Sequence, residues 1–340
     1  MDKKIIIALI LIFVVFYLSC KFTPKQIPQK SPIETTKHVA KIPKPSAPQY
    51  KEEIEIDAAS LDLQSNIPIN DNIVLENDSL KVILTNRGGN IKQVVLKNII
   101  SETREDSVNL FIKEKGMFNT VFYTNTDTIN FRKYNFEYFH DEFTATFYIK
   151  KDWKIIFKKV YSLDHYCNNL NVAIRADGVG FIDAYDIQLD AGIYYDQQDD
   201  KRFGTYIGVV SFVDNKIDKV NLKKAALGAS QYGKITWTAL KSKYFMVATI
   251  PERNVKLREI FVAADNNAII ENLRIEVGRN SIDHSFQFYC GPVDYDHLRV
   301  FNIRLEDAMS VFQEYGFWKA LYLSFCRMLR WIWPTTIKDN

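Results

Sequence analysis

Histidines, cysteines and clustered carboxylates are present in this chain, but not at the spacing that catalysis or metal binding requires. No two histidines stand at metal-ligand spacing. The acidic run from Asp196 to Asp200 lacks the alternating oxygen ligands of a calcium loop. The five histidines are His38, His140, His165, His284 and His297. We therefore predict no catalytic residue, no cofactor and no metal site, and each histidine outside the N-terminal tether is expected at the surface or satisfied in the core.

The cysteines also form no recognisable centre. Cys20, Cys167, Cys290 and Cys326 contain no Cys-x-x-Cys pair, which argues against a zinc site or a redox pair. Export from the cytoplasm would permit a disulfide between Cys167 and Cys290. The two could equally be buried thiols, so both alternatives stay open.

Composition places the chain among globular proteins with a membrane tether. Of the 340 residues 47% are hydrophobic and 14% aromatic, which excludes a disordered chain. A mean hydropathy of -0.18 with one long apolar run excludes a polytopic membrane protein. The 44 basic residues nearly balance the 41 acidic ones, so nucleic acid is not an expected partner.

The N-terminus has the pattern of a membrane anchor. Lys3 and Lys4 precede an uninterrupted apolar run from Ile5 to Leu18, which predicts a cytoplasmic N-terminus and an exported chain. We predict an uncleaved signal anchor, a transmembrane helix over residues 1–20. A lipoprotein modified at Cys20 is the alternative, and Tyr17 and Leu18 fit its cleavage signal poorly.

A proline-rich segment follows the anchor. Residues 21–60 are expected to form a semi-extended linker, because they offer few apolar side chains for burial. Six of the ten prolines fall here, namely Pro24, Pro28, Pro32, Pro43, Pro45 and Pro48.

From residue 61 to 292 the pattern predicts a mainly β fold. Short apolar or alternating stretches are separated by turn signals such as Asn77-Asp78 and Gly88-Gly89-Asn90, without interleaved helical periodicity. Such a series favours an antiparallel sandwich. The predicted strands include Leu80–Leu84, Ile91–Leu96, Thr120–Tyr123, Phe143–Ile149, Trp153–Tyr161, Leu170–Ala176, Ala184–Leu189, Ile235–Ala239, Phe245–Ile250, Val255–Val262, Leu273–Val277 and His284–Tyr289.

The period then changes to that of a helix. Residues 293–315 are predicted to form a packing helix with one buried stripe, capped by Asp294 or Asp296 and ended by Gly316. The stripe comprises Leu298, Phe301, Leu305, Ala308, Met309 and Phe312.

Residues 316–333 predict an amphipathic helix in a membrane interface, followed by a tail over 334–340. A wide aromatic face lies opposite a basic stripe, so the rings can enter the acyl boundary while the cations stay near phosphates. The alternative is an ordinary amphipathic helix packed on the sandwich. The predicted interface residues are Phe317, Trp318, Lys319, Arg327, Arg330 and Trp331.

Five stretches together resemble the exported portion of the YidC family of bacterial membrane-protein insertases. They are Leu84–Ile91, Trp237–Pro251, Tyr289–Leu298, Tyr315–Ile332 and the start of the chain, Met1–Lys4 with the apolar run that follows it, and their order and spacing make the resemblance specific. The motif residues within the first three are Asn86, Gly88, Gly89, Trp237, Tyr244, Phe245, Gly291 and Pro292.

This resemblance implies a β-supersandwich of the galactose-mutarotase-like type with C-terminal α-helices and an N-terminal transmembrane helix. It implies an inner-membrane protein with most of its chain in the periplasm, which assists insertion and folding of membrane proteins with or without the Sec translocon. The expected partners are membrane lipid, Sec components and nascent membrane proteins. In that family the insertase activity resides in later transmembrane helices, which would follow Asn340. A truncated gene, a split insertase and a sequence cut at a domain boundary are the three explanations left open.

The second function class is a membrane-anchored carbohydrate-binding or mutarotase-like protein, because the implied sandwich also occurs in sugar epimerases. Such an enzyme needs a general acid and base that converge on a sugar. The sequence offers no such constellation of histidine and glutamate, so this alternative rests on fold analogy alone.

Overall fold

The computed structural model describes residues 67–97, 107–111, 117–151, 153–165, 167–190, 192–193, 206–265 and 268–310. The strands are β1 (Ile73–Glu76), β2 (Leu80–Thr85), β3 (Asn90–Lys97), β4 (Ser107–Asn109), β5 (Met117–Thr124), β6 (Thr128–Asn130), β7 (Glu137–His140), β8 (Thr144–Lys151), β9 (Lys154–Leu163), β10 (Asn169–Leu189), β11 (Gly208–Val213), β12 (Lys216–Asn221), β13 (Ala229–Tyr232), β14 (Ile235–Lys241), β15 (Phe245–Pro251), β16 (Lys256–Asp265) and β17 (Ala268–Pro292). The helices are α1 (Leu222–Ala225) and α2 (Tyr295–Arg299), with 3-10 turns at Phe131–Lys133 and Leu305–Ser310. The predicted mainly β fold is confirmed.

The two longest strands run through both layers of the sandwich. Residues 170–176 of β10 pair with β9, whereas residues 182–189 pair with β5. Likewise, β17 pairs with β16 through its first part and with β15 through residues 286–292. We call the layer β12-β11-β14-β15-β17-β10-β9-β8-β7 sheet I. Sheet II contains β13, β16, the other parts of β17 and β10, and β5 with its neighbours β6 and β3.

Glycines allow both long strands to pass between the layers. Gly178 and Gly180 in β10 have φ of 82° and 99°, and Gly278 in β17 has φ of 63°. The β10–β17 register shifts between Asp177 and Ile182. Side chains with a Cβ rarely adopt this left-handed backbone, so glycine allows the bend without breaking the strand.

The main core lies between the two sheets. Phe118 of sheet II, which is fully buried, sits 5.3 Å from the Phe288 ring and 6.1 Å from the Tyr161 ring of sheet I. Both pairs meet edge to face, a favourable geometry for aromatic rings. Alternation along the strands therefore points one face of each sheet into a shared apolar interior.

A second, smaller core lies on the outer side of sheet I. Trp237, Met246 and Tyr289 point away from the main core and pack with Leu298 and Leu305 of the C-terminal segment. Sheet I is thus apolar on both faces in this region, which explains the near-continuous burial of β11 and β14.

The C-terminal segment is not one continuous helix, which corrects the packing helix predicted over 293–315. After α2 the chain adopts left-handed backbone at Asn302 and Arg304, with φ of 54° and 63°, before the 3-10 turn. The predicted apolar stripe is confirmed at its centre, because Leu298, Leu305 and Ala308 are fully buried. The break brings all three onto sheet I.

The anchor over 1–20, the linker over 21–60 and the interface helix over 316–333 lie outside the described residues, as does the tail. Within the ranges that are described, no helix has both the length and the apolar character needed to cross a bilayer.

Candidate functional site

The surface where the chain leaves the sandwich combines several residues that the sequence singled out. We call residues 293–310 the exit segment, and we call this segment together with the outer side of sheet I around Trp237 the exit face. Trp237 is fully buried, and its Nε1 donates to the carbonyl of Ile303 at 3.0 Å. Lys241 Nζ donates to the carbonyl of Met309 at 3.3 Å. Both donors engage backbone carbonyls of the segment, so side chains of β14 hold it in place.

The start of α2 is fixed by its cap. The Asp294 side chain accepts hydrogen bonds from the backbone N–H groups of Asp296 and His297, at 3.0 and 3.2 Å. The cap predicted for this helix is therefore confirmed at Asp294, and Asp296 lies within the first turn.

Gly291 and Pro292 form a close contact at the end of β17. A Cβ on Gly291 would lie 2.7 Å from the Tyr289 hydroxyl and 2.8 Å from Asn168 Nδ2. That hydroxyl donates to the carbonyl of Pro292 at 2.7 Å. A glycine is thus required for the tyrosine to close over the strand end, from which the exit segment starts.

The turn between β14 and β15 carries an exposed aromatic ring beside the exit face. Ser242 and Phe245 close this turn through the Ser242 N–H, which donates to the Phe245 carbonyl at 2.8 Å. Tyr244 remains 52% exposed, and the Lys243 ammonium lies 4.7 Å from its ring centroid. The N–H of Val293 donates to the Tyr244 carbonyl at 2.7 Å, which ties the turn to the departing chain.

The second motif cluster surrounds the turn between β2 and β3. Asn86 is fully buried, and its Oδ1 accepts from the N–H of Asn70 at 2.8 Å while its Nδ2 donates to the Pro68 carbonyl at 2.9 Å. Gly88 and Gly89 both have positive φ, of 72° and 56°. The turn therefore fastens the first described residues of the chain to the sandwich.

A buried lysine fixes this turn from the opposite sheet. Lys159 Nζ donates to the carbonyls of Gly88 and Phe118, each at 2.9 Å, and to Asn90 Oδ1 at 3.2 Å. Its side chain has no exposed area, and burial lowers the pKa of this ammonium well below its usual range. Three oxygen acceptors compensate for the lost hydration. Lys159 is therefore a structural link between the sheets.

Asp186 forms the centre of a charged cluster on the outer side of sheet II. Arg274 donates to both carboxylate oxygens, at 2.8 and 3.0 Å, and the hydroxyl of Tyr123 donates at 2.7 Å. Asn272 Nδ2 adds a fourth donor at 3.0 Å. Burial of the Tyr123 hydroxyl, and to a lesser extent the nearby Asp186 charge, raise the pKa of Tyr123 above its ordinary value. The carboxylate is only 1% exposed and fully engaged, so it supports structure rather than proton transfer.

His284 and Glu271 are two buried titratable groups whose residue types could serve as an acid or a base. His284 contacts the Tyr185 hydroxyl at 2.9 Å and the Arg279 guanidinium at 2.8 Å, and burial lowers its pKa to about 4. Glu271 accepts from the Thr238 hydroxyl, and burial raises its pKa to about 7. The two side chains are 1% and 2% exposed, so a substrate cannot reach either. In the described part of the chain, no three potential ligands gather as a metal site.

Cys167 and Cys290 are free thiols, so of the two alternatives the structure shows the unpaired one. Cys290 is buried, and desolvation raises the pKa of its thiol to about 12. Cys167 donates to the Asp164 carboxylate at 3.3 Å.

The structure thus gathers the motif residues into two places and leaves the predicted interface residues outside its described part. Trp237, Tyr244 and Phe245 join Gly291 and Pro292 around the exit face. Asn86, Gly88 and Gly89 lie in the turn between β2 and β3. Lys159 was not among the residues predicted from the sequence, although its place between Phe157 and Tyr161 in an alternating strand points it inward.

A sequence profile described as the YidC periplasmic domain matches residues 72–329. A protein named membrane protein insertase YidC from Chlorobaculum parvum is 23% identical over 263 residues, covering 70% of this chain and 44% of that protein. A protein of the same name from Geotalea uraniireducens is 26% identical over 374 residues, covering 99% of this chain and 65% of that protein. The chain spans about half the length of the curated relatives it matches.

Two solved structures share low sequence identity with the chain. A GalM/aldose epimerase homologue from C. elegans superposes with a TM-score of 0.47 at 10% identity, over 65% of this chain and 99% of that one. A crystal structure of an active YidC insertase superposes with a TM-score of 0.40 at 9% identity, over 78% of this chain and 51% of that one.

Proposed function

Because the chain belongs to the YidC periplasmic domain family, we propose that it is the exported portion of a membrane-protein insertase and assists insertion and folding without catalysing a reaction. The match over residues 72–329 is the observation that carries this proposal. The domain resides on the outer side of the bacterial inner membrane, held by the N-terminal anchor. Its partners are membrane lipid, nascent membrane proteins and components of the Sec translocon.

The exit face suits a mechanical role in this function. Trp237 and Lys241 each bind a backbone carbonyl of the exit segment, at Ile303 and Met309. A segment held at two carbonyls by a rigid sheet cannot rotate freely against the sandwich. The interface residues Phe317, Trp318, Lys319, Arg327, Arg330 and Trp331 follow closely in sequence, so the exit face sets where the interfacial helix starts.

A non-catalytic role agrees with the chemistry of the described residues. The sugar-epimerase alternative needs an accessible acid and base, whereas His284 and Glu271 are buried and Asp186 is bound by four donors. None of these groups can approach a bound sugar without local unfolding. These three groups therefore give no support to the sugar-epimerase alternative.

Site-specific photocross-linking tests this function. A photoreactive residue replaces Tyr244 in the full-length chain within membranes, and ribosomes present a stalled membrane protein whose transmembrane segment has just emerged. We expect cross-links that disappear when the transmembrane segment is replaced by a polar sequence of equal length. A matched probe at Leu227, which is 89% exposed in α1's following turn, serves as the control. Absence of cross-links, or equal cross-linking of both nascent chains, would overturn the proposal.

A further inference from the structure

The hairpin between β8 and β9 ends in a solvated tryptophan. Trp153 is 97% exposed, and its backbone has a φ of 64°. This left-handed conformation is unusual for a bulky side chain and carries a conformational cost. Leaving an indole in water also forgoes the stabilisation that burial would give. Neither cost is compensated by a contact of this ring among the described residues.

Two other large apolar side chains lie at the same end of the sandwich. Ile155 and Phe181 are 43% and 39% exposed. The ion pair between Lys154 Nζ and Asp177 Oδ2, at 3.1 Å, ties the hairpin to the bend of β10 that carries Phe181. These three apolar side chains form what we call the Trp153 tip.

The hairpin that carries Trp153 is rich in lysine. The segment 150–158 contains Lys150, Lys151, Lys154 and Lys158 against a single acidic residue, Asp152. Lys150 pairs with Glu137 at 2.8 Å, and Lys154 pairs with Asp177, so part of this charge is balanced locally. Lys151 and Lys158 remain as additional cations on the same hairpin.

We propose that the Trp153 tip inserts into the interface of an anionic phospholipid bilayer. An indole flanked by lysines suits this environment, because the ring settles at headgroup level while the ammonium groups meet phosphates. A protruding hairpin end offers little area to a protein partner, which needs a broad complementary surface. A bilayer can enclose such a tip from all sides.

This contact sets the orientation of the sandwich on the membrane. The ten residues of β9 run from the tip to Leu163, the end where β17 finishes and the exit segment begins. At about 3.3 Å per residue the two ends are about 33 Å apart. Where the interface helix also lies on the bilayer, as the proposed function holds, the strands of sheet I must run nearly parallel to the membrane plane.

Native tryptophan fluorescence tests the tip directly in the full-length chain. The triple variant W318F/W331F/W333F retains Trp153 and the buried Trp237. It is reconstituted into vesicles of phosphatidylglycerol and phosphatidylethanolamine with brominated acyl chains. We expect quenching and a blue-shifted emission, which high salt weakens. Adding W153F leaves only Trp237 and gives the unquenched baseline, and this change removes an exposed ring without touching the core.

Charge reversal supplies the matched control. Because each surface lysine contributes about 1 kcal/mol near an anionic membrane, K151E/K158E, which leaves the Lys154–Asp177 pair intact, should lower the partition of Trp153 into the interface by roughly tenfold or more. K223E/K224E reverses two exposed neighbouring lysines on α1 and should leave the quenching unchanged.

Three results would overturn the inference. One is a solvated, unquenched Trp153 in the anionic vesicles. Another is a blue shift that grows with protein density in unbrominated vesicles, which would assign the tip to a second copy of the chain. A third is quenching of Trp153 in K151E/K158E equal to that in the parent variant. The reciprocal variant W153F, which retains Trp318, Trp331 and Trp333, reports the interface helix separately, so failure of the tip and failure of the proposed function are distinguishable.

Discussion

Glu271 makes the stability of this sandwich depend on pH in a way that can be calculated. Its carboxyl lies in the interior with the Thr238 hydroxyl as a donor, and burial raises the pKa from its ordinary value of 4.5 to about 7. The folded state therefore holds the proton more tightly than the unfolded state does. Stabilisation from this group is complete below about pH 4.5 and is lost as the pH rises through 7, by about 3 kcal/mol in total.

His284 acts with the opposite sign over an overlapping range. Burial lowers its pKa from 6.5 to about 4, so its contribution is present above pH 6.5 and lost as the pH falls through 4. The two groups offset one another between about pH 4.5 and 6.5. The wild-type protein alone would thus hide both effects.

The variant Glu271→Gln isolates the carboxyl, because the amide keeps an oxygen acceptor for Thr238 and cannot ionise. We subtract the free energy of unfolding of the wild type from that of the variant. This difference should be about 3 kcal/mol larger at pH 8 than at pH 4.5, because only the wild type loses stability as the pH rises. Urea titrations of the full-length chain in mild detergent, followed by circular dichroism, measure this difference. His284→Asn should show the mirror-image dependence. A difference for Glu271→Gln that is the same at both pH values would refute the reasoning.

The other expected effects concern the two motif clusters. Replacing Lys159 with Met leaves buried carbonyls without their donor and should lower the free energy of unfolding, measured in urea, by about 2–4 kcal/mol. The control replaces the half-buried Lys158 with Met and should change this free energy by less than about 0.5 kcal/mol. Equal effects of the two variants would contradict the role of Lys159 as a link between the sheets. Gly89→Ala forces a φ of 56° on alanine and should cost about 1–2 kcal/mol by the same assay, and an unchanged midpoint would argue against the turn geometry. Trp237→Phe removes the donor to the Ile303 carbonyl and should speed amide hydrogen exchange across residues 295–310 without changing exchange in the sandwich strands. Unchanged exchange across residues 295–310 would show that other contacts hold the exit segment.

Strand positions were predictable from the sequence, but their continuity was not. The predicted strands Leu80–Leu84 and Phe245–Ile250 match β2 and β15 to within one residue. In contrast, Leu170–Ala176 and Ala184–Leu189 are parts of one strand, β10. The glycines between them, Gly178 among them, resemble turn signals locally. Only the pairing with β17 on both sides of the bend makes the strand continuous.

The buried charged groups show a second limit. Alternation points Lys159 inward beside Phe157 and Tyr161, but the local sequence does not show which oxygen acceptors lie near its ammonium group. Its partners Gly88 and Phe118 are 71 and 41 residues away in sequence. These acceptors reach the Lys159 ammonium only when the two sheets pack together, so local sequence patterns cannot predict them.

At the C-terminus the apolar pattern was correct and the helix was not. Leu298 and Leu305 are buried as the stripe predicts, but Trp237 binds the Ile303 carbonyl between them. Tertiary contacts with sheet I thus override the local helical preference. The membership of the YidC family, which was inferred from the order of the motifs, is confirmed by the match to residues 72–329.

Depletion of this protein in its own host cells tests the central claim most directly. The measured quantity is the fraction of a newly synthesised inner-membrane protein that reaches its protease-protected topology. An insertase component predicts that this fraction falls as the protein is depleted, while secretion of a periplasmic protein without transmembrane segments continues. An unchanged inserted fraction after complete depletion would contradict the account.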